Sequence, residues 1–258
     1  MTDYALPNLS NDLTGRVALI TGASSGLGYR FAQVVAACGA KVAIAARRED
    51  RLRALADKIR AAGGVAEAVS LDMTDNDSMI GAVDRAEAAL GTIDILINNA
   101  GVPDAQRAHK MPLELIDRVF DTNLRGPYIL SCEIARRLIA AGKPGRMVNI
   151  SSMGGFNYNG NGAALYSITK SAIVRMTECL AVEWARFNIN VNAIAPGCFD
   201  SEMMDGMLQR VGDIARNFPR KRICDPPEMD STLLYLLSPA SGAVTGTCAK
   251  IDDGQGFR

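Results

Sequence analysis

The chain has 258 residues, 48% of them hydrophobic, and its 28 basic side chains are matched by 28 acidic ones. This length and composition allow one sizeable core, and the balanced charge gives no electrostatic footprint for nucleic acid or an anionic membrane. The chain has no apolar run of the roughly 18 residues that span a membrane, and its first residues lack the basic and apolar regions of a secretion signal. We therefore expect a cytoplasmic protein whose substrate is not a polyanion.

Seven short runs rich in β-branched residues have the length and composition of buried strands. They begin at residues 17, 41, 65, 93, 146, 189 and 248. Segments with helical periodicity lie between and after them, at residues 26–38, 49–62, 75–90, 112–141, 165–187 and 226–237. Because the connections are too long for hairpins, the alternation predicts a Rossmann-like, doubly wound α/β fold, with a seven-stranded parallel sheet and helices on both faces.

The predicted domain organisation is an N-terminal extension, residues 1–14, followed by a single domain, residues 15–258. Residues 198–226 interrupt the alternation of strands and helices. They are too structured for a linker and too long for an ordinary connection. Since such segments often cover a binding site, we predict that residues 198–226 form a lid over the site.

Cysteine and histidine usage gives no sign of a metal site. The six cysteines are scattered without a C-x-x-C pair, and His109 is the only histidine. These residues make neither a zinc ligand set nor a disulfide framework at familiar spacings. We expect no bound metal.

A glycine-rich turn lies between the first strand and the first helix. Its sequence, TGASSGLG, has the spacing G-x-x-x-G-x-G. Glycine lets the backbone approach a pyrophosphate, and the helix N-terminus supplies free N–H groups and partial positive charge. The flanking strand and helix favour a nucleotide site over a tight turn without a ligand. The predicted contacts are Gly22, Ser24, Ser25, Gly26, Leu27 and Gly28.

The end of the second strand bears on cofactor choice. NAD-selective folds of this type place a carboxylate there for the adenosine ribose. This chain has Ala46 instead, followed by Arg47 and Arg48, whose guanidinium groups can pair with a 2′-phosphate. NADP(H) is therefore favoured and NAD(H) remains possible. The alternative is that the arginines only begin a charged helix face.

Seven motifs occur in one order along the chain: TGASSGLG at 21, LDMTD at 71, NNAG at 98, NL at 123, NISS at 149, YSITK at 166 and APG at 195. Together they closely resemble the short-chain dehydrogenase/reductase family, from about residue 15 to residue 254. The resemblance implies an NAD(P)-dependent oxidoreductase that interconverts a ketone and a secondary alcohol. Its substrate is then a small molecule.

The resemblance also implies a catalytic tetrad of Asn123, Ser152, Tyr166 and Lys170. Tyr166 and Lys170 are four positions apart in a helical segment and so share a face. A nearby ammonium favours the phenolate, which makes Tyr166 usable as a general acid and base. Ser152 can hold the carbonyl oxygen, and Asn123 is implied to connect Lys170 to a proton relay.

Further cofactor contacts follow from the resemblance. Asp72 and Met73 are expected beside the adenine, although Asp72 could be only a helix cap. The others are Asn99, Ala100 and Gly101 along the cleft, Tyr166 and Lys170 of the tetrad, Pro196 and Gly197 against the nicotinamide, and Ser201 near its carboxamide.

The chain departs from the family pattern in three places. The spacing from Ser152 to Tyr166 is one residue longer than usual, which leaves the reach of the serine open. Asp253 stands where the family usually has glycine, and Ser201 replaces threonine conservatively.

Met153, Tyr158 and Met203 are the candidate substrate-pocket residues, and flexible methionines suit a mainly apolar ketone or alcohol. The methionines could equally be ordinary helix packing, and Tyr158 an ordinary surface residue. Apolar faces on segments 112–141 and 165–187, which form the subunit interface in the family, predict a homo-oligomer, either a tetramer or a dimer.

Two alternatives to a ketone reductase or alcohol dehydrogenase stay open. One is reduction of a 3-oxoacyl thioester carried by acyl carrier protein or coenzyme A, for which Arg136, Arg137, Arg186 and Arg216 could supply a basic patch. The other is a dinucleotide-binding sensor or scaffold without turnover, although such a protein has no need of the tetrad.

Overall fold

The computed structural model describes residues 7–158, 160 and 162–256. The first six residues of the predicted N-terminal extension lie outside the described residues.

Seven strands form one parallel sheet in the order β3-β2-β1-β4-β5-β6-β7, which confirms the predicted fold class. The strands are β1 Val17–Thr21, β2 Lys41–Ala46, β3 Val65–Ser70, β4 Ile95–Asn98, β5 Gly145–Ile150, β6 Ile189–Pro196 and β7 Cys248–Ile251. The strand order reverses between β1 and β4, and such a switch point opens a crevice at the carboxyl ends of the strands.

Helices cover both faces of the sheet. They are α1 Gly26–Ala37, α2 Glu49–Ala61, α3 Asn76–Leu90, α4 Leu113–Phe120, α5 Gly126–Ala141, α6 Ala164–Trp184, α7 Glu202–Val211 and α8 Asp230–Leu237. Side chains of β1 alternate between two cores, because successive strand residues point to opposite faces. Ile20 joins the core under α1, α2 and α8, whereas Leu19 joins the core under α3, α5 and α6.

The helix predicted over residues 112–141 is divided in the structure. Residues Asp121–Arg125 form a π-helical turn between α4 and α5. Within it, Asn123 is buried and bonds both backbone groups of Val102. Hydrophobic periodicity carries no signal for such a turn, since the apolar spacing continues on both sides of it.

The described residues contain neither a membrane-spanning helix nor a cluster of metal-ligating side chains. None of their helices has the length and apolar character that a membrane crossing requires. No group of three or more histidine, cysteine or acidic side chains among them is arranged to hold a metal ion.

Candidate active site

A cleft of about 770 Å³ lies at the carboxyl edge of the sheet. The glycine loop, the ends of strands β2, β5 and β6, the start of α6, and helix α7 of the predicted lid segment contribute to its walls. Every site residue predicted from the sequence lines this cleft except Gly28 and Asn123. The structure therefore brings together motifs that are distributed over most of the chain.

Asn99 holds the glycine loop in place. Its side-chain amide donates to the carbonyl oxygens of Thr21 at 3.0 Å and Gly22 at 3.3 Å. Gly22 has a φ of +68°, a region that favours glycine. A Cβ on Gly28 would lie 2.6 Å from the carbonyl oxygen of Gly22 and would also strike the Asn99 amide. Gly28 thus acts through close packing behind the loop and not as part of the cleft wall.

The start of α1 fits the phosphates of a dinucleotide. Its N-cap residue, Ser25, makes no side-chain hydrogen bond to the first turn. Instead, the Ser25 hydroxyl accepts a hydrogen bond from Arg48 at 2.8 Å. The free N–H groups of the turn and the helix dipole favour an anion at this place.

At the end of the cleft predicted to hold the adenosine, Asp72 stabilises its own loop. Its Oδ1 accepts hydrogen bonds from the backbone N–H and the hydroxyl of Thr74, both at 2.9 Å. These bonds lower the pKa of Asp72, and the charge of Arg47 adds to the effect. The alternative of a helix cap is wrong, because Asp75 caps α3. Asp72 and the largely buried Met73 remain available to shape an adenine pocket.

Tyr166 and Lys170 project from the same face of α6. Lys170 is 4% exposed, its Nζ donates to the carbonyl oxygen of Ile150 at 2.7 Å, and Nζ lies 5.7 Å from the centre of the Tyr166 ring. A Cβ on Gly154 would lie 3.3 Å from Ser152 Oγ and 3.5 Å from Tyr166 Cε1, so the two side chains are neighbours. The additional residue between Ser152 and Tyr166 therefore does not separate them.

Burial dominates the acid–base properties of this pair. It raises the pKa of Tyr166, the neighbouring Ser152 side chain opposes the rise, and Cys198 and Asp104 add to it. Burial also lowers the pKa of Lys170 to about 8. The net direction for Tyr166 is opposite to the phenolate preference expected from a nearby ammonium. At neutral pH the side chain is thus a phenol, the form that donates a proton.

Asn123 lies behind the cleft wall. Its Oδ1 accepts from the Val102 N–H at 2.8 Å, and its Nδ2 donates to the Val102 carbonyl at 2.9 Å. A Cβ on Gly101 would lie 3.5 Å from both Asn123 Oδ1 and Lys170 Nζ. Asn123 and Lys170 thus flank the same short piece of backbone.

Asp104 is a site residue that the sequence did not indicate. It is 2% exposed, and its Oδ2 accepts hydrogen bonds from the N–H groups of Leu165 at 2.9 Å and Tyr166 at 3.1 Å. The residue at the N-cap position of α6, Ala163, has no side-chain oxygen that could accept these hydrogen bonds. Asp104 lies in a different loop and caps helix α6, which carries Tyr166. No local sequence motif indicates this cap.

The segment predicted as a lid contributes α7 to the cleft. Ser201 caps α7 by accepting from the Met204 N–H at 3.2 Å. Pro196 and Gly197 precede the segment at the end of β6, and a Cβ on Gly197 would lie 2.8 Å from Cα of Asp252. Both line the cleft, as do the buried Met153 and the half-exposed Tyr158 and Met203. That the segment moves as a lid stays a prediction.

Asp253 occupies a turn with a φ of +52°, a conformation that aspartate tolerates better than most residues. Its carboxylate pairs with Arg222 and Arg220, each at 2.9 Å. Asp253 therefore ties the C-terminal turn to the end of the lid segment, where glycine could not.

The four arginines considered as a basic patch for a carrier protein do not surround the cleft. Arg137 pairs with Asp84, Glu87 and Glu133, and Arg136 pairs with Glu133. None of the four candidate arginines is among the described residues that line the cleft.

Comparison with known proteins gives consistent matches. The family model described as short chain dehydrogenase matches residues 16–211. The A-factor type gamma-butyrolactone 1′-reductase (1S-forming) of Streptomyces virginiae is 36% identical over 252 residues, 94% of this chain and 96% of that protein.

Solved structures agree over nearly the full length. A variant of actinorhodin polyketide ketoreductase with NADPH is 31% identical, with a TM-score of 0.90 over 94% of this chain and 98% of the other. The 3-ketoacyl-(acyl-carrier-protein) reductase of Brucella melitensis, complexed with NADH, is 31% identical, with a TM-score of 0.87 over 95% of this chain and 100% of the other.

Proposed function

The chain belongs to the short-chain dehydrogenase/reductase family, and we propose that it interconverts a ketone and a secondary alcohol with Tyr166 as general acid and base. The observation that carries the proposal is that Ser152, Tyr166 and Lys170 line the same cleft as the glycine loop. The family supplies the reaction class, an NAD(P)-dependent oxidoreductase. The residues supply the mechanism.

A bound nicotinamide cofactor would supply or accept the hydride. In reduction, Ser152 donates a hydrogen bond to the carbonyl oxygen and holds it beside Tyr166. Tyr166 transfers its hydroxyl proton to the oxygen as negative charge develops there, and the Lys170 ammonium stabilises the resulting phenolate. In oxidation, Tyr166 takes the proton of the substrate hydroxyl. Asn123 acts behind Lys170 as a positioning residue.

Tyr166→Phe tests this assignment. Removing the hydroxyl should lower kcat by about 10² to 10⁴ fold, while the affinity for NADPH, measured by fluorescence titration, stays unchanged. Tyr235→Phe is the matched control, because it removes a hydroxyl from a half-exposed tyrosine on α8, away from the cleft. Unchanged turnover in the Tyr166 variant would refute the role of Tyr166.

NADP(H) is the proposed preferred cofactor. Arg47 and Arg48 line the cleft where β2 ends without a carboxylate. The solved relatives include complexes with NADPH and with NADH, so the family alone makes no choice. Parallel titrations with NADPH and NADH measure the preference, and tighter binding of NADH would contradict it.

The second candidate substrate is a 3-oxoacyl thioester, which the name of the Brucella melitensis relative favours. Acetoacetyl-coenzyme A is a direct probe, assayed beside a panel of simple ketones and secondary alcohols. A wild-type protein that binds the cofactor but turns over none of these compounds would instead favour a sensor or scaffold.

A homo-oligomer is also proposed. Tyr128 on α5 and Val182 on α6 are 50% and 81% exposed in the single chain, although both are large apolar side chains. A second copy is the partner that the family resemblance suggests for these helices. Light scattering should give a mass of two or four chains, and a monomer at working concentration would contradict the proposal.

A further inference from the structure

Arg48 links three elements at the mouth of the cleft. Its Nε and Nη2 donate to the Ser24 hydroxyl at 3.1 and 2.9 Å, and Nη2 also donates to the Ser25 hydroxyl at 2.8 Å. Its remaining Nη1 pairs with the carboxylate of Glu202 at 2.9 Å. The guanidinium predicted to receive a 2′-phosphate is therefore already engaged by the glycine loop and by an acidic side chain.

Glu202 is the first residue of α7 and belongs to the lid segment. Its second carboxylate oxygen pairs with Arg51 of α2, so a single acidic group engages two arginines. Together these bonds lower the pKa of Glu202 to about 2, and the side chain is ionised at every working pH. The negative charge is thus a permanent part of the site.

Arg47 provides a contrast within the same cleft. Among the described residues, no hydrogen bond or ion pair engages its guanidinium, although its charge influences Asp72. Two neighbouring arginines are therefore unequal. Arg47 is available to an incoming anion, whereas Arg48 and Arg51 already share one.

We propose that Glu202 is a specificity-determining residue that competes with the 2′-phosphate of the cofactor for Arg48. The inference rests on the proposed function, because it requires a dinucleotide in the cleft. A phosphate and a carboxylate both use paired guanidinium donors, so each excludes the other from the same N–H groups. The negative charges of Glu202 and of a 2′-phosphate bound beside it also repel each other, and salt weakens that repulsion. Glu202 therefore weakens the binding of NADP(H) and reduces the preference for NADP(H) over NAD(H) that the arginines create.

The test compares two ligands that differ only in the 2′-phosphate, adenosine 2′,5′-bisphosphate and adenosine 5′-monophosphate. Each is titrated by calorimetry into the wild-type protein and into Glu202→Gln, without substrate or turnover. The variant should bind the bisphosphate at least about threefold more tightly, as expected for an exposed ion pair, and should bind the monophosphate unchanged. The gain should shrink between about 0.05 M and about 0.5 M salt.

Asp205→Asn is the matched control. Asp205 is exposed in the first turn of the same helix and forms no ion pair with the described residues. It should leave both affinities unchanged. Glu202→Ala should repeat the gain of the glutamine variant, and a thermal melt confirms that each variant is folded.

The outcomes separate the two proposals. If wild-type protein binds the monophosphate and Glu202→Gln binds the bisphosphate no more tightly, the competition is refuted while the proposed function stands. An equal gain for both ligands also refutes it, because the effect then does not depend on the 2′-phosphate. If wild-type protein binds neither ligand, the proposed cofactor site fails and the inference fails with it.

Discussion

Two helices that line the cleft, α6 with the predicted catalytic pair and α7 of the predicted lid segment, are packed differently. Helix α6, which carries Tyr166 and Lys170, buries nine residues against the sheet and neighbouring elements, whereas α7 in the lid buries none. The two ends of the predicted lid segment are joined by an isolated β-bridge, a backbone pairing between Phe199 and Cys224. The residues proposed to carry the chemistry therefore lie on the packed side, and the residue proposed to select the cofactor lies on the side with little core.

The difference in packing predicts that α7 tolerates amino-acid substitutions better than α6 does. A packed residue has neighbours that must move if its volume changes, whereas a residue on α7 has solvent on much of its surface. Substitutions of the same chemical kind should therefore have unequal effects on the two sides.

A pair of glycine substitutions gives the largest expected contrast. Gly28→Ala places a methyl group against Asn99 and the Gly22 carbonyl, so it should cost about 1 to 3 kcal/mol of unfolding free energy and abolish cofactor binding. Gly206→Ala in α7 meets nothing within 4 Å, and the added helix propensity should change stability by at most about 1 kcal/mol, in the favourable direction. Denaturant unfolding and NADPH titration measure both variants. Equal losses would show that α7 is packed as tightly as the glycine loop.

Removal of the remote cap of α6 is the next largest effect. Asp104→Ala leaves the Leu165 and Tyr166 N–H groups without their acceptor, which should cost about 1 to 3 kcal/mol of unfolding free energy.

Asp104→Asn keeps one acceptor oxygen and removes the charge that helps to raise the pKa of Tyr166. The pKa of Tyr166 should fall, so the pH profile of alcohol oxidation, which needs the phenolate, should shift to lower pH. A purely structural role for Asp104 would lower the rate without moving the profile.

The pH dependence of ketone reduction depends on Lys170. Its pKa of about 8 lies below that of a free lysine, so the neutral amine predominates above about pH 8. Because the proposed mechanism uses the ammonium, kcat/KM for reduction should be constant below this pH and fall by about tenfold per unit well above it. A profile that stays flat to about pH 9.5 would contradict the role of the ammonium.

The smallest expected effect concerns the lid alone. Ser201→Ala removes the hydroxyl that caps α7, which should weaken that helix by about 1 kcal/mol. Hydrogen exchange should accelerate in residues 202–211 and stay unchanged in α6. A matching acceleration in α6 would mean that the lid and the packed side open as one unit.

The sequence alone was sufficient for the fold and for most of the cleft. Strands such as Val17–Thr21 and Ile95–Asn98 could be predicted because a buried strand is a short, mostly apolar run. The glycine loop and the Tyr166–Lys170 pair could be predicted because their chemistry requires fixed local spacings. The family motifs then identified residues whose spacing alone says nothing, such as Asn99 and Pro196.

Only the tertiary structure showed how residues distant in sequence modify that site. Asp104 and Tyr166 are 62 positions apart, and Arg48 and Glu202 are 154 positions apart. Local periodicity cannot report such pairs, because they form only when the sheet order brings separate loops to one edge. The same is true of the π-helical turn at Asn123, which depends on a hydrogen-bond partner in another loop. Local patterns thus determined which chemistry is predicted for the site, and folding decided which distant side chains contact its residues.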